Sequence, residues 1–418
     1  MKYLIQFLFL CNFVFLLSGC WSSHEAEDLS IINIVGVDEN EQGELELTAN
    51  LVRPMPNTAS ASAGTNGDSE QPNLVSASGQ SLFDAMSKLS SSISKRMYLG
   101  HVNVLIFGEM VARDHMESAL DFFRRENDFR PNIKIFITKG SAKEVMQTKP
   151  ALQSTIGLEV DKLSENDRFA SAGTLKDISK FVEDLTSNTI DPTTSGITRS
   201  INKGIEFSSI ETSGDGEARA KQQGETENET TNESSAAVAL DGTAVFQGAK
   251  LKGWLNDRET RGLMWMLGEV SNNNIVVLPC SQGTVSLNTR DSKSRYSPQL
   301  SNDGTTMRVN IQVEADIGEY TCADPELDSR QIERLNRQLE ETIEEEATAA
   351  LRKAQKRWQA DVFGFGKAIY RDNPKAWDKI APDWRNGLLQ NLRVDLNVSA
   401  NISGHGMIEQ PSKANESR

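Results

Sequence analysis

Apolar residues recur along this chain at two spacings, and the switches between them mark out its elements. Leu29–Val37 and Glu44–Val52 are β-rich runs around the polar turn Asp38–Gly43. In the second run Leu45, Leu47 and Ala49 oppose Glu44, Glu46 and Thr48, the period of two that a half-buried strand requires. Helical spacing takes over at Leu82, Ala85, Met86 and Leu89, and an apolar strand follows at Val102–Phe107. Asp114 with Glu117 predicts a capping box ahead of Met116, Leu120 and Phe123. A second apolar strand, Ile133–Thr138, leads to another box at Ser141 and Glu144. These elements form a mixed domain ending near Pro150.

Beyond it the spacing shows one clear helix, with Leu175, Ile178, Phe181, Val182 and Leu185 on one face. Thr174 and Asp177 open it, and Asp191-Pro192 lies past its end. Val238–Phe246 and Lys250–Leu255 predict a hairpin across Gln247-Gly248, and Asn256 with Glu259 caps a short helix carrying Leu263, Met264, Trp265 and Leu267. Strands follow at Ile275–Leu278 and Thr306–Ile317. The longest pattern runs from Ser329 to Asp361, where Ile332, Leu335, Leu339, Ile343, Ala347, Leu351, Ala354 and Trp358 make one continuous stripe. Its exposed face is acidic early and basic late, which complements the helix dipole. Leu392, Val394, Leu396 and Val398 alternate in a closing strand. The expected architecture is α+β, with three mixed α/β domains, largely antiparallel sheets and a long C-terminal amphipathic helix. The expected divisions are a leader over 1–19, an N-terminal domain over 20–150, a middle domain over 151–273, a C-terminal domain over 274–405 and a tail over 406–418.

Composition changes this picture at the loops. Asn57–Ser76 is rich in Ser, Ala, Gly and Asn and reads as a flexible loop, and the stretch 211–235 reads as a solvated acidic insertion. The latter holds Glu211, Asp215, Glu217, Glu225, Glu227, Glu229 and Glu233 against Arg219 and Lys221, so part of the formal charge of −15 is local. That balance argues against nucleic acid or anionic lipid as a partner through bulk electrostatics.

At the start, Lys2 precedes an apolar run from Leu4 to Leu17, too short for a confident membrane span and laid out like a secretory signal. It closes on Leu17-Ser18-Gly19-Cys20, which resembles a bacterial lipobox: thioether formation needs the Cys20 thiol, and small residues before it admit the peptidase. After it no apolar run approaches a span, and the mean hydropathy is −0.45. With Cys11 removed and Cys20 lipidated, Cys280 and Cys322 remain. Outside the cytoplasm they can pair, but with their separation unknown two buried thiols are the preferred reading.

Catalytic constellations are weak. His24, His101, His115 and His405 are scattered without ligand spacing, and no G-x-S-x-G elbow occurs. Ser92-Ile93-Ser94-Lys95 matches S-x-x-K, but no K-T-G follows. Phe363-Gly364-Phe365-Gly366-Lys367 lacks the strand and spacing of a P-loop and reads instead as the C-terminal stop of the long helix. No cofactor or metal site is expected.

The stretch Gln359–Trp384, QADVFGFGKAIYRDNPKAWDKIAPDW, resembles the C-terminal signature of the spore germination receptor C subunits, the Ger(x)C lipoprotein family. Gly242–Trp265 (GTAVFQGAKLKGWLNDRETRGLMW) and Leu99–Asp128 (LGHVNVLIFGEMVARDHMESALDFFRREND) are similar to further family segments, and the lipobox is expected with them. Two departures occur: Trp21 is followed by Ser22 where members usually carry Asp, and the loops Asn57–Ser76 and Glu211–Ser235 look long.

The resemblance implies a lipid-anchored, non-catalytic exterior subunit of a nutrient germinant receptor, on the outer face of the spore's inner membrane. Its partners would be a polytopic A subunit and a transporter-like B subunit. Cys20 carries over as the lipidation site; Phe363, Gly364, Phe365, Gly366, Lys367, Trp377 and Trp384 carry over as signature positions, read as buried turn and aromatic core. The alternatives are a substrate-binding lipoprotein of a transporter, which predicts two similar lobes around a cleft, and an envelope hydrolase, which needs a nucleophile and base not found here.

Overall fold

The computed structural model describes residue 3 and residues 29–52, 73–170, 174–201, 236–270, 274–301, 304–322 and 327–404. Cys20, most of the 57–76 segment and the 211–235 segment lie outside these. The first strands are β1 (Leu29–Glu39), β2 (Leu45–Val52), β3 (Leu74–Gly79), β4 (Arg96–Tyr98) and β5 (Val104–Gly108). They are followed by β6 (Lys134–Thr138), β7 (Lys176–Asp177), β8 (Thr193–Ile201), β9 (Ala236–Gln247) and β10 (Lys250–Leu255). All ten form one sheet, in the order β10-β9-β8-β6-β5-β1-β2-β3, with β4 beside β1 and β7 beside β6.

The centre of this sheet is parallel (β1 with β5, β5 with β6, β6 with β8) and its flanks are antiparallel hairpins. A parallel centre has to be covered on both faces, so its strands read as unbroken apolar runs. Ile135 and Ile137 of β6 accordingly join the core under α1 (Leu82–Ser92), α2 (Glu109–Asp114), α3 (Met116–Arg125) and α6 (Ile178–Thr186). Phe136 between them faces α4 (Ala142–Met146) and α5 (Ile156–Ala170) on the other side.

The second sheet consists of β11 (Asn274–Cys280), β12 (Gly283–Ser301), β13 (Gly304–Tyr320) and β14 (Arg393–Gly404), in that order. Its β13–β14 pairing is parallel, with α8 (Ser329–Leu351) as the crossover between them. Leu335, Leu339, Ile343 and Ala347 of α8 are buried in one core with Val309, Ile311 and Ile402. Helix α7 (Asp257–Leu267) packs across α8: the buried Glu346 accepts from Trp265 Nε1 at 2.9 Å and from Arg261 Nε at 2.9 Å. A Cβ at Gly262 would lie 2.0 Å from the Glu346 carbonyl oxygen, so a glycine is needed for the two helices to approach this closely.

Several expectations are corrected. Asp114 does not cap α3; it ends α2, and His115 joins the two helices with no side-chain cap. Leu74–Ser76 belongs to β3, not to the loop. Helix α5 and strands β8 and β12 have no counterpart in the hydrophobic pattern, because β8 and β12 are dominated by Thr, Ser and charged residues. The long helix passes into a π-helical turn, Arg352–Arg357, and stops near Gln359, whose φ is 53°. That turn swings Gln355 inward, where its amide donates to the Leu389 and Leu392 carbonyls at 2.9 and 2.6 Å.

Cys280 and Cys322 form a disulfide rather than two thiols, with Cα atoms 5.8 Å apart. The strand missing from the sequence reading explains it. β12 begins between them, with Gly283 opposite Cys280 and Val285 opposite Tyr320, so both cysteines meet at its first residues.

Candidate functional site: the signature turn and its buried carboxylates

The signature positions converge on one carboxylate that the sequence reading passed over. Phe363–Lys367 is not the stop of α8 but the start of α9 (Phe365–Asp372), with Gly364 as N-cap in the left-handed region at φ 75°. Asp361, buried just upstream, accepts from the backbone N–H groups of Gly364, Phe365 and Gly366 at 2.9, 2.9 and 2.7 Å. It thereby satisfies donors that a helix start leaves open. Trp384 Nε1 donates to the same carboxylate at 3.1 Å. Burial pushes the Asp361 carboxyl up to about 6, the amide donors pull it down, and neighbouring Asp191 raises it again.

Asp191 is completely buried and ties the two sheets' units together. It accepts from the N–H groups of Gly248 and Asp361 at 2.9 and 2.8 Å, and it pairs with Arg385 at 2.8 Å. Its own N–H donates to the Asp361 carbonyl at 2.9 Å. Arg385 also reaches the Ile190 carbonyl at 3.2 Å, and the Lys367 N–H reaches the Thr189 carbonyl at 3.1 Å. The segment before β8 is thus bonded to the signature from both sides.

The aromatic positions pack around this junction. Phe363 and Phe365 stack at 5.1 Å, and Trp377 of α10 (Pro374–Asp383) meets Trp384 edge-on at 5.3 Å. A Cβ at Gly366 would lie 2.6 Å from the Trp377 ring, so glycine lets the helix start sit on the indole. Phe363, Phe365, Trp377 and Trp384 are buried, and Lys367 alone among the signature side chains is exposed.

Lys367 opens onto a cleft of about 1190 Å³ between the two units, lined also by Lys176, Lys180, Glu269, Tyr296 and Phe363. Glu269 has a raised pKa because the cleft walls partly desolvate it, with Lys176 opposing the shift. Both oxygens of Asp361 are engaged by donors and Asp191 is ion-paired, so the junction is built to hold a geometry; nothing in it is poised as a nucleophile. Ser92 Oγ donates to the Leu89 carbonyl at 2.8 Å at the end of α1. Among the described residues no group of His, Cys, Asp and Glu is placed to hold a metal ion.

Residues 22–199 match the family of the spore germination protein N-terminal domain, and residues 241–406 match the family described as spore germination B3/GerAC-like, C-terminal. The chain belongs to the GerAC-like family of spore germination proteins. Spore germination protein KC of Bacillus subtilis (strain 168) is 25% identical over 419 residues, covering 99% of this chain and 98% of that one. Spore germination protein GerQC of Bacillus cereus is 21% identical over 404 residues, covering 96% and 99%. The crystal structure of the GerBC protein superposes with a TM-score of 0.52 at 16% identity, over 88% of this chain and 96% of that one, and supports the α+β fold. The GerAC-like C-terminal match contains Asp361, the whole signature turn and Arg385; Asp191 lies inside the N-terminal match.

Asp191, Asp361 and Arg385 are the residues that sequence reasoning missed. Asp361 stands three to five positions ahead of the amides of Gly364, Phe365 and Gly366, further than the two or three of an ordinary N-cap, so no capping pattern marks it in the sequence.

Proposed function

We propose that this chain is the lipid-anchored, non-catalytic C subunit of a nutrient germinant receptor. It is held through Cys20 on the outer face of the spore's inner membrane and assembles there with a polytopic A subunit and a transporter-like B subunit. The observation that carries this reading is the ordered match to both germination families, the first beginning at residue 22, just past the lipobox cysteine. No helix among the described residues is long and apolar enough to cross a membrane, which is compatible with attachment through lipid. In this reading Phe363–Lys367, Trp377 and Trp384 hold the fold and do not contact a germinant. Tethering raises the effective concentration of the folded units for membrane subunits, so individually weak contacts suffice.

Deleting the protein is expected to abolish germination in response to one nutrient set while leaving non-nutrient triggers largely intact. Complementation with Ser92→Ala restores the response; failure of a folded Ser92→Ala protein would count against a non-catalytic role. Cys20→Ala is expected to lose membrane association or persist as precursor, since one acyl chain is marginal and two hold stably. If deletion instead blocks uptake of a solute in growing cells, the transporter-binding reading replaces this one.

A further inference from the structure

The small sheet ends in β14, and no strand among the described residues pairs with its outer edge. An open edge is a row of backbone groups ready to pair, and proteins close it where pairing is unwanted. Along β14 alternate residues turn their N–H and C=O groups away from β13. Ala400 and Ile402 are two of these. The Ala400 N–H donates to Glu340 at 3.0 Å and the Ile402 N–H to Asn336 at 2.9 Å, both acceptors on α8. The next positions on that face of α8, one and two turns on, are Glu344 and Thr348. Neither bonds to β14, so the outward N–H groups of Leu396 and Val398 meet no acceptor among the described residues. The edge is closed over one half and open over the other.

The open half borders a groove of about 480 Å³ between β14 and the end of α8. Its floor is apolar: Leu351 and Leu392 are buried there, with Val394 and Leu396 half-buried beside them. Its two ends differ in charge. Glu344 stands at one, and Arg352 and Lys356 at the other, about 12 Å further along the helix. Arg393 is neutralised by Asp395 at 2.8 Å, and Lys356 donates only to the Gln390 carbonyl, which leaves its charge in place. Arg352 is exposed and has no partner among the described residues. An apolar slot along an open edge, with uncompensated cations at one end, suits an extended segment carrying a carboxylate. The chain's own tail fits it poorly. Folded back on β14 by a tight hairpin, the tail would set Met407 and Ile408 beside the closed half, and residues 411–415, which would reach the open half, include no large apolar side chain.

We propose, on the reading that this chain assembles with membrane subunits, that the open half of the β14 edge takes up an extended segment of one of those subunits as a fifth strand, with its apolar side chains in the groove and a carboxylate against Arg352.

The test follows amide exchange by mass spectrometry in the full-length lipidated protein, alone and copurified with its membrane subunits. Alone, Leu396 and Val398 should exchange freely while Ala400 and Ile402 are protected. In the assembly, exchange at Leu396 and Val398 should slow by about tenfold or more. Leu396→Pro removes an outward N–H and spares the bonds to β13, and Arg352→Glu repels the carboxylate. Each is expected to weaken retention of the membrane subunits by about tenfold, with a urea midpoint near that of the wild type. If Leu396→Pro does not fold, Arg352→Glu and exchange in the wild type decide. Membrane subunits that copurify while Leu396 and Val398 stay unprotected, or that folded Arg352→Glu retains in full, overturn the docking edge and leave the assembly reading standing. Protection already present in the isolated protein overturns it as well: lost on dilution it belongs to a second copy, and lost on removal of 406–418 it belongs to the tail. If no membrane subunit copurifies with the wild type, the assembly reading falls and the docking edge with it.

Discussion

Asp361 accepts from three backbone N–H groups and one indole in a site closed to water, so truncating it leaves four buried donors facing nothing. Asp361→Ala is expected to destabilise the protein by at least about 3 kcal/mol in urea unfolding. The same residue sets a pH dependence. Its carboxyl is raised from 3.8 to about 6 on folding, so within that window the folded state holds a proton that the unfolded chain has released. This contribution to stability is complete below the unfolded value and is lost as pH rises through about 6. Unfolding midpoints of the wild type and Asp361→Ala should therefore converge as the pH is raised through the window, apart from the constant loss of the bonds. Little of this junction was legible in the sequence. Asp191 stood out only as a residue past the end of a helix, and its partners Gly248, Asp361 and Arg385 are distant along the chain, where spacing carries no information.

Elements whose own side chains divide into a wet and a dry face were readable, and those organised by their neighbours were not. The α8 stripe was legible because Leu335, Leu339, Ile343 and Ala347 all lie in the C-terminal core. Leu339→Ala or Ile343→Ala should each cost about 2–5 kcal/mol, checked by the shift in urea midpoint at unchanged slope. β12 was not legible: Thr289 and Ser292 stand at buried positions where its apolar alternation would need hydrophobic side chains, and it is a strand because β11 and β13 pair with it on both edges. The same omission hid the disulfide. Bridging a separation of 42 residues, Cys280–Cys322 is expected to contribute about 2–4 kcal/mol, measured as the difference between wild type and Cys280→Ser/Cys322→Ser. The glycines of the signature misled in direction: read as a helix stop, they open α9, because Gln359 had already ended the helix before them.

At the scale of the whole molecule, two sheets of different size and topology share one polar junction, and that asymmetry agrees poorly with the two similar lobes of a transporter's substrate-binding lipoprotein. The large sheet closes with β10, so every strand it needs is present once Leu255 has been made. The small sheet is different. Its β14 is an edge strand added in parallel to β13, and the crossover α8 packs against it, so the core around Leu339 has no outer wall until residues up to Ile402 exist. Synthesis is vectorial, and a parallel pairing across so long a crossover forms late. The C-terminal third of a nascent chain must consequently wait, with the apolar face of α8 and an unpaired β13 edge exposed, until nearly the last codons are read. A chain ending just before Arg393 should fold its first sheet and leave the second open to protease, a result that limited proteolysis with mass spectrometry would show directly. Premature termination close to the end of the gene then costs this third of the protein its closing strand, as termination much earlier would.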